Sequence, residues 1–207
     1  MRVGSWTPPS SKPSDPEALL PYTEKFDRAL LHAANLHRDQ TRKGTGVPYV
    51  THLLAVASIV GENNGTEDEV IAALLHDAPE DAGGEAQLAE IRTRFGDGVA
   101  DIVAGCTDTY EDPKPPWHDR KEAYLGHLAE ASSSVRLVSA ADKLHNARSV
   151  LSDYRAVGEN LWDRFNGGRD GTLWYYRAVA DALAGDGQVA DELGRVVAEL
   201  ERAAGGR

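Results

Sequence analysis

Val70-Ile71-Ala72-Ala73-Leu74-Leu75 runs without a break into His76-Asp77, and no other stretch narrows the possible folds as much. Thr66-Glu67-Asp68-Glu69 precedes it and fits a capping box, in which the Thr side chain and the Glu three residues later satisfy each other's free backbone donors. The run is therefore read as a helix. A helix that is apolar nearly all round has no face to offer water and must be buried among other elements. It carries an imidazole and a carboxylate into the interior, where ionisable groups are rare unless paired or coordinated. Pro79 limits its length, because proline has no donor for the carbonyl of Leu75 and disfavours α geometry at Ala78. The helix should kink or stop at His76-Asp77 and restart with Pro79 in its first turn.

The remaining periodicity is also helical. Phe26, Ala29, Leu30, Ala33 and Ala34 mark an amphipathic helix from Thr23 to about Gln40. A second helix is expected from Tyr49 to about Val60. Leu88, Ile91 and Phe95, then Val99, Ile102 and Val103, mark two shorter helices after Gly83-Gly84. Tyr124, Leu125 and Leu128 follow a Pro113-Pro115-Pro116 loop, and Val135 to Tyr154 reads as one long helix. Asn166 to Gly171 reads as a Gly-rich connection, followed by a helix with Leu173, Trp174, Tyr175, Val179 and Leu183. Val189 to Leu200 is polar enough for a lid or a surface-packed helix. No segment alternates with period 2 between hairpin turns, so the chain is read as all-α.

With 207 residues the expectation is one domain over residues 21–207, preceded by a Pro/Ser-rich arm over residues 1–20 that contains Pro8, Pro9, Pro13 and Pro16. No apolar run of about 18 residues is available for a membrane span, and the N-terminus has no apolar secretory core. The single cysteine, Cys106, fits a reducing compartment, so a cytoplasmic location is expected. A net charge of −11 argues against binding nucleic acid polymers, which needs Lys and Arg clustered over a large face. An anionic ligand would require basic residues gathered locally.

His52, His76, Asp77 and Asp142 all fall in stretches expected to be interior. Alone, such a His is commonly a satisfied core residue, and such an Asp a cap or an Arg partner. Together they form a mixed N/O donor set suited to a divalent ion such as Mn²⁺, Fe²⁺ or Zn²⁺. Glu80 and Asp81 lie within a turn of that set. They are placed either to orient or deprotonate a water at the ion or simply to begin a helix with solvated acidic residues. Arg42, Lys43 and Lys143 are the local cations that phosphoryl oxygens would need, although exposed Lys and Arg are commonplace.

Arg42-Lys43-Gly44-Thr45-Gly46-Val47-Pro48-Tyr49-Val50-Thr51-His52, Ala72 through Asp81 and Ala141-Asp142-Lys143-Leu144-His145-Asn146-Ala147-Arg148 carry a resemblance in order and spacing. Over roughly residues 23–184 the chain resembles the HD-superfamily hydrolase domain of the RelA/SpoT enzymes and the small alarmone hydrolases. The resemblance implies an HD-domain helical bundle with the metal site between central helices. It implies that His52, His76, Asp77 and Asp142 hold one Mn²⁺ and that Glu80 and Asp81 assist the attacking water. The reaction implied is removal of the 3′-pyrophosphate of (p)ppGpp, giving GDP or GTP and pyrophosphate. By the same match Arg42 and Lys43 contact the nucleotide, Lys143 and Asn146 face it, and one of Trp174, Tyr175 and Tyr176 packs near it. The chain departs from these relatives at Ala78-Pro79, and its length leaves no room for a synthetase domain. Two alternatives accompany this reading: the same fold acting on another nucleotide, such as the 2′-phosphate of NADPH or a dNTP, and a non-catalytic nucleotide-sensing module.

Overall fold

The computed structural model describes residues 22–111 and 113–205, and the expected arm over residues 1–20 lies outside them. Among the described residues the architecture is helical with no strand: α1 (Glu24–Leu36), α2 (Val50–Glu62), α3 (Glu67–Leu75), α4 (Ala78–Asp81), α5 (Gly84–Phe95), α6 (Asp97–Cys106), α7 (Trp117–Glu130), α8 (Ser133–Val157), α9 (Gly168–Ala182) and α10 (Gln188–Gly205). The all-α expectation therefore holds. Among the described residues no helix is long and apolar enough to cross a membrane.

The α3–α4 junction forms as the sequence requires. Thr66 accepts from the Glu69 amide at 3.3 Å while Glu69 Oε2 accepts from the Thr66 amide at 2.7 Å, closing the capping box. Every residue from Val70 to Leu75 is buried. The helix stops at Leu75, His76 caps it, Asp77 opens α4, and Pro79 stands in the first turn of α4, where its missing donor costs nothing.

The long helix α8 is the central element. Ser132 caps it, and its buried residues include Val138, Ala141, Asp142, Leu144 and Ala147. It packs against α2, α3, α6, α9 and α10. Apolar positions on α10 (Val189, Leu193, Val197, Leu200) are buried, so the C-terminal segment is a packed helix rather than a lid.

Two expected boundaries move, and the loop between α1 and α2 gains internal bonds. Helix α1 ends at Leu36 rather than near Gln40, because the His37 amide closes the last turn onto Ala33 O and residues 37–40 turn back. The basic loop is ordered: an isolated bridge joins Thr41 and Pro48, and Arg42 N donates to Val47 O at 2.8 Å. The Gly-rich connection is shorter than expected, since α9 already begins at Gly168. These glycines serve close packing: a Cβ on Gly167 would lie 2.7 Å from Trp117 Cη2, and one on Gly171 3.2 Å from Trp117 Cζ3. A 3-10 turn over Gly158–Arg164, which has no sequence signature, buries Leu161 and Trp162 beneath α8.

Helix α6 approaches α8 through Gly105, where a Cβ would stand 2.5 Å from Val135 Cγ2. Gly→Ala inside a helix ordinarily stabilises by about 0.5–1 kcal/mol. Here the steric conflict reverses the sign, and Gly105→Ala is expected to destabilise by about 1–3 kcal/mol in urea unfolding. Adding Val135→Ala should recover part of that loss. Strictly additive costs would show that the close approach does not matter.

Candidate active site

Helices α2 and α8 and the α3–α4 junction meet at a group of buried ionisable side chains. His52 (1% exposed), His76 (3%) and Asp142 (5%) have candidate ligand atoms within 4.8 Å of one another. His52 Nε2 lies 3.3 Å from Asp142 Oδ1 and 3.5 Å from Asp77 Oδ2. His76 Nε2 lies 3.1 Å from Asp77 Oδ2 and 3.6 Å from Asp142 Oδ1. All four expected ligands thus converge, with Asp77 at the more open edge.

The donor chemistry fits a divalent cation. His76 Nδ1 donates to Ala73 O at 2.8 Å, which leaves Nε2 as the free lone pair of a neutral ring. That buried Nε2 has no hydrogen-bond partner. It points a lone pair at two carboxylates, an arrangement that calls for a proton or a cation between them. The titration tendencies agree. Burial alone would push the His76 pKa down, yet Asp77 and Asp142 raise it well above the usual histidine value. Burial opposes ionisation of both acids, but His76 and His52 hold Asp77, and Lys143 and the same imidazoles hold Asp142, well below the ordinary carboxylate range.

Each of these side chains is oriented by a neighbour. His52 Nδ1 is 2.8 Å from His145 Nδ1. Burial, then the nearby His52 and Arg42, lower the His145 pKa to about 4, so His145 is neutral near pH 7 and can accept from His52 Nδ1–H. Tyr49 Oη donates to Asp77 Oδ2 at 2.6 Å. Asn146 Nδ2 donates to Asp142 Oδ1 at 2.5 Å, while Asn146 Oδ1 accepts from Arg42 Nη2 at 2.6 Å. The basic loop is thereby tied to Asp142.

Glu80 and Asp81 are carried by α4, one turn past the His-Asp pair. Glu80 Oε1 accepts from the Asp108 amide at 2.8 Å, and its pKa is raised by burial and then by the Asp108 charge. Asp81 Oδ2 accepts from Gln40 Nε2 at 2.8 Å, and His37 Nδ1 sits 2.6 Å from Gln40 Oε1, which fixes the amide's direction.

A cavity of about 660 Å³ opens beside the cluster, lined by Arg42, Lys43, Tyr49, His145, Asn146 and Tyr176 among others. A smaller one of about 170 Å³ shares Lys43, Phe165 and Tyr176 with it and adds Tyr175. Trp174 lines neither and stacks on His118 with ring centroids 4.5 Å apart. Of the residues expected to meet a substrate, Arg42, Lys43 and Asn146 lie on the larger cavity. Lys143 does not: its ammonium is drawn to Asp142 Oδ2 and lies 5.3 Å over the Tyr124 ring, where the negative carboxylate outcompetes the open cavity for a buried cation. Tyr49, His145, Gln40 and Asp108 are the supporting residues that sequence reasoning missed. His145 carried a usable signal, since it stands three residues after Asp142 on one helix face. Gln40 and Asp108 carried none, because their partners are distant in sequence.

The HD domain family model matches residues 29–173. The chain belongs to the HD domain family. It is 40% identical over 121 residues to zebrafish (Danio rerio) guanosine-3′,5′-bis(diphosphate) 3′-pyrophosphohydrolase MESH1, a match covering 57% of this chain and 64% of that protein. Against the bifunctional (p)ppGpp synthase/hydrolase SpoT of Escherichia coli K12 it is 33% identical over 135 residues, which is 62% of this chain and 18% of the relative. A solved structure described as "A metazoan ortholog of SpoT hydrolyzes ppGpp and plays a role in starvation responses" superposes with a TM-score of 0.71 at 29% identity, covering 89% of this chain and 97% of that one. The chain thus matches somewhat less than two thirds of the zebrafish relative's length.

The His52–His145 contact makes a direct prediction. Partners that fix a ligating imidazole typically contribute 10–100-fold to metal affinity. His145→Ala should therefore weaken divalent-ion binding by about that factor in calorimetric titration, with the helical circular dichroism unchanged. Wild-type affinity in this variant would remove His145 from the site.

Proposed function

We propose that the protein is a metal-dependent phosphohydrolase that removes the 3′-pyrophosphate of (p)ppGpp. The observation that carries this reading is the buried His52, His76 and Asp142 cluster, whose direct partners His145 and Asn146 line a cavity edged by Arg42 and Lys43. The kinship with MESH1 and SpoT supports the substrate. In this reading His52, His76, Asp77 and Asp142 hold one divalent ion. Manganese is our proposed identity, since the set mixes two imidazoles with two hard carboxylates. Such an ion supplies Lewis acidity at a phosphoryl oxygen and lowers the pKa of coordinated water.

The chain's own residues supply the rest. Arg42 and Lys43 bind the anionic nucleotide at the cavity, Arg42 with its direction fixed by Asn146. Hydrolysis removes one proton from the attacking water, breaks the bond between phosphorus and the 3′-oxygen, and delivers one proton to that oxygen. Glu80 is suited to take the first proton, because a carboxyl titrating above the ordinary range is a better base near neutrality. Asp81, held by Gln40, orients the water. Lys143 acts on Asp142 rather than on substrate. Tyr176 is the aromatic neighbour of the nucleotide, since it lines both cavities. We further propose that residues 21–207 act as one catalytic unit in the cytoplasm, on a small nucleotide rather than a nucleic acid polymer, in keeping with one buried cysteine and a charge of −11.

The test is a substrate panel of ppGpp, NADPH and dNTPs with purified, metal-analysed protein. Pyrophosphate release from ppGpp is expected, and its absence would overturn the substrate. Asp142→Ala should lose the bound metal, so stoichiometric metal in that variant would refute its ligand role. Glu80→Gln should keep the metal and lose about 10²-fold or more in turnover. The wild-type rate should rise with pH through the raised Glu80 pKa, because the base form appears only above it. Unchanged turnover in Glu80→Gln would leave this residue as a loop anchor bonded to the Asp108 amide, with no part in proton transfer.

A further inference from the structure

The loop after α6 holds a charged cluster to which the proposed reaction gives no part. The Asp108 side chain is only 4% exposed and accepts from Arg120 Nη1 at 2.8 and 2.5 Å and from Lys121 Nζ at 2.5 Å. Arg120 Nε also donates to Pro115 O at 3.1 Å, closing the loop on itself. Lys121 Nζ lies 4.9 Å over the Tyr175 ring. The amide of this same residue, Asp108, donates to Glu80 Oε1 at 2.8 Å. One residue is thus clamped to α7 by its side chain and holds a site carboxylate by its backbone.

Stability is a poor explanation for such a cluster. Desolvating buried ion pairs costs about as much as their attraction returns, and apolar residues of the same volume serve a core as well or better. A second carboxylate beside Glu80 is an added electrostatic cost. What the cluster does supply is a rigid donor aimed at Glu80 from a loop that could otherwise move. We infer that Asp108, clamped by Arg120 and Lys121, is a positioning residue that fixes the Glu80 carboxylate through its own amide and governs the charge around it. This rests on the reading of Glu80 as the group that takes the proton.

The groups facing Glu80 come from each neighbouring element: Asp77 from the α3–α4 junction, Asp108, Tyr110 and Lys114 from the α6–α7 loop, and Lys121 from α7, with Lys114 Nζ 3.6 Å from Oε2. Burial and the Asp108 charge push the Glu80 pKa up, while the Asp108 amide and Lys121 pull it down. Asp108→Asn keeps the amide and the side-chain volume, deletes the neighbouring negative charge and releases Arg120 and Lys121 to act on Glu80. Each change lowers the Glu80 pKa. Lys121→Gln acts in the opposite sense. If the cluster served only to hold the loop and did not act on the charge around Glu80, both variants would alter stability and leave the titration where it is.

The experiment uses the full chain in two independent readouts. The first is the pH profile of kcat and KM on ppGpp with the metal-loaded protein. The second is a ¹³C NMR titration of the Glu80 carboxyl in protein loaded with diamagnetic Zn²⁺, assigned with Glu80→Gln. Asp108→Asn should move the Glu80 midpoint and the acid limb of kcat down by about one pH unit, and lower kcat with little change in KM. Lys121→Gln should move the midpoint up, which keeps the inference testable if Asp108→Asn folds poorly. A Glu80 midpoint unmoved in both variants overturns it. Failure of the wild type to hydrolyse ppGpp would instead overturn the proposed substrate, because the NMR midpoint reads the charge that Asp108 and Lys121 set around Glu80 without any turnover.

Discussion

The structure depends on the mutual satisfaction of ionisable groups buried where α2, the α3–α4 junction and α8 meet. Apolar helices can collapse in many registers, because the hydrophobic effect has no direction. A buried imidazole or carboxylate has few acceptable positions, since leaving it unpaired costs several kcal/mol. His52, His76 and Asp142 come together in one register of the three elements, within 4.8 Å of one another. The cluster therefore selects among the packings that the apolar residues would allow. Pro79 contributes by ending α3 where it does: an α-helix continued through Ala78 would carry Glu80 and Asp81 along a straight axis instead of restarting them as α4.

Around that cluster the orienting bonds reach outward to the cavity wall. His76 is fixed by its own helix through Ala73 O, whereas Asp142 is fixed through Asn146, and Asn146 is in turn bonded to Arg42. Tyr49 links Asp77 to the same loop, with Arg42 lying 5.8 Å over its ring. The loop from Thr41 to Pro48 is thus held at both ends, by the backbone bridge and by the site. Movement of Arg42 toward an anion would be felt at Asp142 through one intervening amide. Glu80 and Asp81 sit outside this chain of bonds and are anchored separately, to the α6–α7 loop and to the turn after α1.

How much could be read in advance follows from the range of each interaction. The all-α class, the capping box at Thr66, the buried α3 and its stop before Pro79 are local in origin, and the sequence carries them openly. The convergence of His52, His76, Asp77 and Asp142 was legible because a buried ionisable residue is conspicuous in an apolar helix. Lys143 lies off the cavity, against Asp142, because its position on α8 is visible in sequence while the direction of its side chain is not. The glycines at 167 and 171 read as a loop because glycine commonly breaks helices, but here Trp117 needs the space that a side chain would fill. Gln40 and Asp108 left no trace, since each acts on a residue 41 or 28 positions away.

The charge of −11 argues against binding an anion only if it is spread evenly, and it is not. Two of the acids, Asp77 and Asp142, are at the His52–His76 cluster, where a cation would offset them, and Asp108 is enclosed by Arg120 and Lys121. Many others are paired on the surface, as in Arg177 with Glu201 and Arg155 with Glu199. Among the described residues the cavity wall presents Arg42, Lys43 and Arg148, the last also paired with Glu192, against Asp153, which is engaged by Arg164. Fields from exposed charges fade within about 10 Å at ordinary ionic strength. Any multiply charged anion entering the cavity would therefore meet the local cations rather than the net charge, and an acidic chain can hold an acidic ligand without contradiction.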